Sequence, residues 1–361
     1  MHLVQFSQNN MTQLTYAKAI NSAIKIAMLK DEHVICYGLG ADDPKGVFGT
    51  LSGLQQLFGD ERVFDIPTSE NAMTGVAIGA SIGGYKTVLT HQRLDFALLS
   101  IDQIVNGAAK MHYMFNGEIN VPLTIRMIIG RGWGQGPTHS QNLQAWFAHI
   151  PGLKVVMPAS AFDAKGLLLS AIFDPNPVIF LEHRWLHNSM SSVPDEDYRI
   201  EIGKSKKLMD GDDITLVSMS YMTIEAIKAS KYLKEKGINI DLIDLRSIKP
   251  LDLENILKSL SKTGRLLVLD TGAITCSVAT DIIAKISINH FNLLKQNPSI
   301  LAMPDYPEPT SYGLTKKFYK NAADVADRIL SILDIKGIDP YCDMVMPNHH
   351  DVPGDWFQGP F

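Results

Sequence analysis

Six short, uninterrupted apolar runs in the first half of the chain alternate with stretches of helical periodicity, and that alternation leaves few folds open. The runs lie at 33–38, 63–66, 86–90, 122–129, 153–157 and 177–182, with helical patterns at 13–30, 70–83, 94–116, 140–148 and 161–173. A strand that is apolar throughout is covered on both faces, so the pattern predicts a mostly parallel sheet with helices on either side. The second half repeats the theme on a smaller scale. Strands are expected at 214–218, 240–244 and 266–270, with helices at 221–236, 252–261, 277–288 and 319–334. Between the halves, the run Ser189-Met-Ser-Ser-Val-Pro-Asp-Glu-Asp-Tyr198 loses all periodicity. The expected organisation is therefore a first domain over 1–185, a surface linker over 186–212 and a second domain over 213–334. The remaining tail, 335–361, carries Pro, Gly, His and aromatic residues without an obvious element.

Composition narrows the function classes. The 361 residues, 45% of them hydrophobic, supply enough apolar side chains for two cores. A net charge of −5 with scattered Lys and Arg gives no basic field for nucleic acid. Cys36, Cys276 and Cys342 are widely spaced, which suits a reducing compartment and argues against a thiolate metal site. No apolar run reaches membrane-spanning length, so a soluble cytoplasmic protein is expected, with neither nucleic acid nor membrane as partner.

Three places hold candidate chemistry. In Val63-Phe-Asp-Ile-Pro-Thr-Ser-Glu70, a strand breaks at Pro67 and passes into a helix dotted with small residues, placing Glu70 in its first turn. An acid there is ordinary helix chemistry in its own right. The glycines Gly130, Gly132, Gly134 and Gly136 follow a strand and lead to His139. Their spacing is not the dinucleotide fingerprint, and the acid expected about 20 residues later is missing. A loop presenting Trp133 and His139 at the C-terminal edge of the sheet is the better account. Phe96 enters the helix 94–116, as core or as a face on which a flat ring can stack. The chain has no HExxH, no P-loop and no Gly-Asp-Gly followed by Asn, so it lacks a diphosphate clamp of its own.

Together these residues resemble the beta subunit of thiamine diphosphate-dependent 2-oxo acid dehydrogenases of the pyruvate and branched-chain types, relatives of transketolase. The resemblance spans 12–334 and is densest in Ile101-Asp-Gln-Ile-Val-Asn106-Gly-Ala-Ala-Lys110, His139-Ser-Gln141, His149-Ile-Pro-Gly-Leu-Lys-Val-Val156 and Asp244-Leu-Arg-Ser-Ile-Lys-Pro250. It implies an α/β fold in which a transketolase-type pyrimidine-binding domain precedes a smaller transketolase C-terminal domain. It also implies that Glu70 hydrogen-bonds the cofactor's aminopyrimidine and favours its imino tautomer. Phe96 matches the aromatic that stacks on that ring, with Gln92 beside it, and His139 matches the active-site histidine. The carbonyls of Leu123, Ala171, Asp174 and Asn176 fall where some relatives hold a structural potassium ion. Magnesium and diphosphate are expected on a separate alpha subunit, in an alpha2beta2 assembly that a lipoyl acyltransferase can serve.

The chain departs from that pattern in places. Gln144 stands where relatives commonly carry Glu, and Asp270-Thr-Gly-Ala-Ile-Thr-Cys-Ser-Val278 replaces a Gly-rich acidic turn. His91, Arg93, Arg131 and Trp133 are candidates for a polar substrate pocket where relatives are more apolar. Oxidative decarboxylation of a 2-oxo acid is the leading expectation. A split transketolase-like enzyme moving a two-carbon ketol unit is the alternative within the class, and a non-catalytic structural subunit the alternative outside it.

Overall fold

The computed structural model describes residues 11–132, 134–344, 352–354, 356, 357 and 359; Trp133 lies outside the described residues. The strands are β1 (Met11–Thr15), β2 (Val34–Gly38), β3 (Val63–Phe64), β4 (Lys86–His91), β5 (Leu123–Ile129), β6 (Lys154–Val156), β7 (Val178–His183) and β8 (Met190–Pro194) in the first half. The second half adds β9 (Lys206–Met209), β10 (Ile214–Ser218), β11 (Ile240–Asp244), β12 (Ser247–Lys249), β13 (Leu266–Ala273) and β14 (Ser299–Met303). The larger sheet has the order β12-β6-β7-β5-β4-β2-β3, and every pairing within it is parallel except that of β12. The smaller sheet runs β14-β13-β10-β11-β9, with β9 as its antiparallel edge. Every residue of β2, β5 and β7 is buried, as continuously apolar strands require.

Helices cover both faces of the larger sheet. On one face, Tyr16–Lys30 turns Ile20, Ile24 and Met28 onto Ala161–Ile172. On the other, Glu70–Ile82 lies against a π-helical segment Gln103–Ala108. Gly107 makes that second packing close, because a Cβ there would meet Ile78 Cδ1 at 2.9 Å. The expected single helix over 94–116 is in fact four short segments, Leu94–Ala97, Leu98–Ser100, Gln103–Ala108 and Ala109–Met114. A π turn inserts a residue into the helical repeat, a change to which side-chain spacing is blind.

The two halves are joined more closely than a linker alone would do. β12 leaves the second half and pairs antiparallel with β6 of the first, Ser247 opposite Val156. One apolar cluster runs from Ile125 and Ile179 of the first sheet to Val217, Ile243 and Val268 of the second. The stretch 186–212 is also not bare linker. β8 pairs with β1, and β9 completes the edge of the second sheet. Both strands are short and carry polar residues, which hid them from apolar periodicity. Past Leu333 the chain adds a short helix, Pro340–Asp343, capped by the Asp339 carboxylate. The end of the tail then returns to the first domain, where Phe357 is buried.

Candidate active site

The order of the larger sheet decides where a ligand goes. From β2 the chain crosses outward to β3, whereas from β4 it proceeds the other way to β5, so the topological switch point falls between β2 and β4. Open α/β sheets bind ligands in the crevice beyond the strand ends at that point. The backbones approach closely there, since a Cβ on Gly38 would collide with the Thr90 carbonyl. A small cleft opens at this place, lined by Leu39 after β2, by Thr90, His91 and Gln92 at the end of β4, and by Glu70 and Phe96.

Glu70 reaches the cleft because β3 is cut short and the chain turns at Pro67 into Glu70–Ile82. Asp65 Oδ1 accepts from the Gly40 and Ile66 amides (2.7 and 2.9 Å), tying the turn to the loop after β2. The Glu70 side chain is 9% exposed and makes no hydrogen bond or ion pair with another described side chain. It is thus a buried acid, at the positive end of a helix, whose carboxyl is directed to a cleft rather than to a protein partner. His91 is similar in kind. Burial alone lowers its pKa to about 4, so the ring is neutral at physiological pH, and its buried Nε2 has no partner among the described residues. Gln92 is anchored, donating from Nε2 to the Leu39 carbonyl at 2.9 Å.

His139 meets this group through Phe96. Their ring centroids are 5.2 Å apart and nearly perpendicular, at 88°. Gln141 Nε2 donates to Asp95 Oδ1 at 2.8 Å, which fastens the His139-Ser-Gln141 stretch to the short helix carrying Phe96. Thr138 Oγ1 lies 3.1 Å from His139 Nδ1. Glu70, His91, Gln92, Phe96 and His139, far apart along the chain, are therefore brought together.

Arg93 and Arg131 do not line the cleft. Arg93 is buried and donates to the Gly130 carbonyl (2.6 Å) and to Gln135 Oε1, clamping the glycine-rich loop. Arg131 is buried with its guanidinium 5.1 Å from the Tyr319 ring of the second domain. The polar pocket expected of these two residues is thus a loop-holding framework, because buried guanidinium groups need fixed acceptors or ring faces. Gly130 has a φ of +67°, and a Cβ there would run into the His183 ring, so only glycine fits.

Sequence reading missed the residues that support the site from behind. Arg126 and Glu182, both wholly buried, form a bidentate ion pair at 2.6 and 3.0 Å between β5 and β7. Burial by itself would raise the Glu182 carboxyl, but the Arg126 charge and the bonds from His187 and Arg126 hold it below its ordinary value. Arg126 also donates to Thr90 Oγ1 at 3.1 Å, beside the cleft. Trp185 Nε1 donates to the Gly132 carbonyl at 2.8 Å. The sole sequence trace of these contacts is an arginine and a glutamate inside strands that are otherwise apolar.

The residues expected at a potassium site lie at the opposite, N-terminal edge of the sheet. Leu123 opens β5, Ala171 is in the last turn of Ala161–Ile172, and Asp174 and Asn176 form the turn before β7. The Lys154 ammonium already holds the Asp174 carboxylate at 2.5 and 2.8 Å, and the Ala171 carbonyl accepts from the Asp174 amide. Among the described residues no cluster of three or more His, Cys, Asp or Glu side chains forms a metal site, and no helix is long and apolar enough to cross a membrane.

Comparison with known proteins bears on the fold and the family. The family model "Transketolase, pyrimidine binding domain" matches residues 12–189, and "Transketolase, C-terminal domain" matches 203–325. A split gene transketolase, solved as an inactive beta4 tetramer, superposes with a TM-score of 0.73 at 22% identity, over 90% of this chain and 100% of that one. At such identity it shows the fold, and the class is that of a transketolase-type two-domain α/β chain. Closer relatives fix the family. The acetoin:2,6-dichlorophenolindophenol oxidoreductase subunit beta of Cupriavidus necator is 39% identical over 324 residues, covering 87% of this chain and 96% of its own. The pyruvate dehydrogenase E1 component subunit beta of Rickettsia bellii is 36% identical over 324 residues (90% and 100%), and that of Rhizobium meliloti 38% over 323 (89% and 70%). The chain belongs to the family of thiamine diphosphate-dependent 2-oxo acid dehydrogenase beta subunits.

Proposed function

We propose that this chain supplies the pyrimidine half of a thiamine diphosphate site and the acid–base group that activates it, in an enzyme that oxidatively decarboxylates a 2-oxo acid. The observation that carries the reading is the shared cleft of Glu70 and Phe96 at the switch point, with His139 against Phe96. The cleft suits an aminopyrimidine. It offers a buried carboxyl without a protein partner, a neutral imidazole nitrogen without one, and an aromatic side chain for stacking.

When bound, the cofactor supplies a carbon nucleophile and an electron sink. With the cofactor bound, the Glu70 carboxyl would share a proton with a ring nitrogen at the cleft wall, and its burial would keep that exchange out of water. Phe96 orients the ring by stacking. His139 stands at the mouth of the cleft, positioned by Phe96 and by the Gln141–Asp95 bond, to donate or accept a proton at the substrate carbonyl. His91, held neutral, contributes a hydrogen bond without adding charge.

Magnesium and diphosphate belong in this reading to an alpha partner, in an alpha2beta2 enzyme of the cytoplasm, where the three free cysteines would stay reduced. The partner of such an enzyme in turn is a lipoyl acyltransferase. A potassium ion on the carbonyls of Leu123, Ala171, Asp174 and Asn176 would be structural, since the site is an edge of the sheet away from the cleft. Ketol transfer has less support, because Arg93 and Arg131 are committed to the glycine-rich loop and the domain contact rather than to the cleft. A non-catalytic subunit would have no use for a buried, unpaired Glu70.

Native mass spectrometry of the chain purified from its own cells, with thiamine diphosphate and magnesium present, tests the reading. A second chain and bound cofactor are expected. Arrival alone and without cofactor, even after candidate alpha chains are added, would overturn it.

A further inference from the structure

The second of the two family matches stops at residue 325, yet the chain continues and its last described residues pack on the first domain. Phe357 is buried there, its ring 5.2 Å from the Arg184 guanidinium. Arg184 in turn lies 4.4 Å from the Phe48 ring, and on that same ring the Arg93 guanidinium approaches to 5.8 Å. The result is an alternating stack, Phe357, Arg184, Phe48, Arg93, running from the tail to the residue next to Gln92 of the cleft. Trp356 makes a second connection. Its Nε1 donates to the Trp185 carbonyl at 3.3 Å, while Trp185 Nε1 donates to the Gly132 carbonyl.

Both connections end on the glycine-rich loop. Gly132 is held from two sides, through its carbonyl by Trp185 and through its amide, which donates to Gln135 Oε1 at 2.8 Å. The same Gln135 oxygen accepts from Arg93, which also donates to the Gly130 carbonyl. Phe48 itself is strained. Val47 and Phe48 sit at φ +41° and +57°, a region that bulky residues occupy only when their surroundings force it. Its ring lies against both the Arg93 and the Arg184 guanidinium groups.

We propose that Trp356 and Phe357 are positioning residues: seated on Trp185 and Arg184, they fix the Gly130–Gly136 loop, and with it His139, against the cofactor cleft. The loop's glycines give it no stiffness of its own, so its geometry comes from the side chains clamped to it. The use made of His139 rests on the catalytic reading above; the chain of contacts from tail to loop stands without it.

Hydrogen exchange on the full chain tests this without substrate or cofactor. Phe357→Leu keeps an apolar side chain but loses the ring over Arg184, Trp356→Phe keeps a ring but loses the indole donor, and Phe357→Tyr keeps the ring. Loss of either contact should speed exchange of the amides at 130–139 by roughly tenfold or more, while β10 and β11 exchange as before and Phe357→Tyr matches the parent. In the assembled enzyme the same two variants should lose kcat/KM for the 2-oxo acid with cofactor affinity unchanged. Unaltered exchange at 130–139 in both variants, or protection lost evenly over both sheets, would overturn the proposal. Because exchange needs no turnover, failure of the catalytic reading would show separately, in an assembled wild-type enzyme that is inactive.

Discussion

Glu70→Gln separates the chemistry of Glu70 from its packing. The side chain is buried but bonded to no other described side chain, so an amide of the same shape removes no protein contact. Such a change should stay within about 0.5 kcal/mol of the parent stability, or about 1–2 °C in Tm for a domain of this size. Turnover is another matter. A positioned acid–base group contributes about 10²–10⁴-fold, which is about 3–5 kcal/mol of barrier. Part of any loss would come from cofactor binding, since an amide replaces a charge-assisted hydrogen bond, at a cost of about tenfold in affinity. The assay therefore titrates thiamine diphosphate to saturation in the assembled enzyme and follows 2-oxo acid oxidation with an artificial electron acceptor. A deep loss of kcat that persists at saturation, with Tm unmoved, is expected. An assembled, cofactor-saturated variant of undiminished turnover would refute the assignment, and recovery of full kcat at saturation would reduce Glu70 to a binding contact.

Glu182→Ala leaves the wholly buried Arg126 without its partner and should cost about 3–5 kcal/mol, lowering Tm by roughly 6–20 °C, whereas Arg126→Met combined with Glu182→Leu should restore much of it; an alanine variant melting with the parent would contradict this. Burial lowers His91 and His187 to about 4 and His183 to about 3, against an ordinary value of 6.5. The unfolded chain therefore takes up protons at these rings that the folded chain refuses, so their contribution is fully present above pH 6.5 and is lost as pH falls towards 4. Urea midpoints should drop between about pH 7 and pH 5, and a midpoint constant over that range would refute it. If the carbonyls near Asp174 hold potassium, the chain should melt higher in potassium chloride than in choline chloride of equal ionic strength; equal melting would dismiss the ion.

The larger sheet was legible because its strands are buried on both faces and so read as unbroken apolar runs. β2, β4, β5 and β7 fall within a residue or two of the runs that announced them. β1, β8, β9 and β12 were not legible, because each is a short edge or cross-domain strand whose partner lies far along the chain. The site divides in the same way. Glu70 stood out at a strand-to-helix junction, a purely local pattern. The clamp on the glycine-rich loop is built from Arg93, Gln135 and Trp185, three residues with no common spacing. Arg93 looked like a pocket residue because it stands where relatives are usually more apolar. What sequence could not show was that the loop's own carbonyls and Gln135 take all the bonds the geometry allots to it.

The proposed reading makes the chain half of a site, and the arrangement fits that reading. In that reading it brings to the cleft acid–base groups and orienting surfaces: Glu70, Phe96, His91 and His139. Among the described residues no three His, Cys, Asp or Glu side chains gather as a metal site, and Arg93 and Arg131 are engaged by the glycine-rich loop and the Tyr319 ring. The surface tells the same story. Leu99, Tyr113, Trp146 and Ile274 stay between 40% and 87% exposed. An apolar groove of about 340 Å3 is lined by Trp146, Ile101, Val105 and Ile150, in the region of chain that also carries Phe96 and His139. Large exposed apolar side chains of this kind mark surface that assembly can cover. In the proposed reading, covering it would exclude water from the cleft, so association would be a condition of catalytic competence.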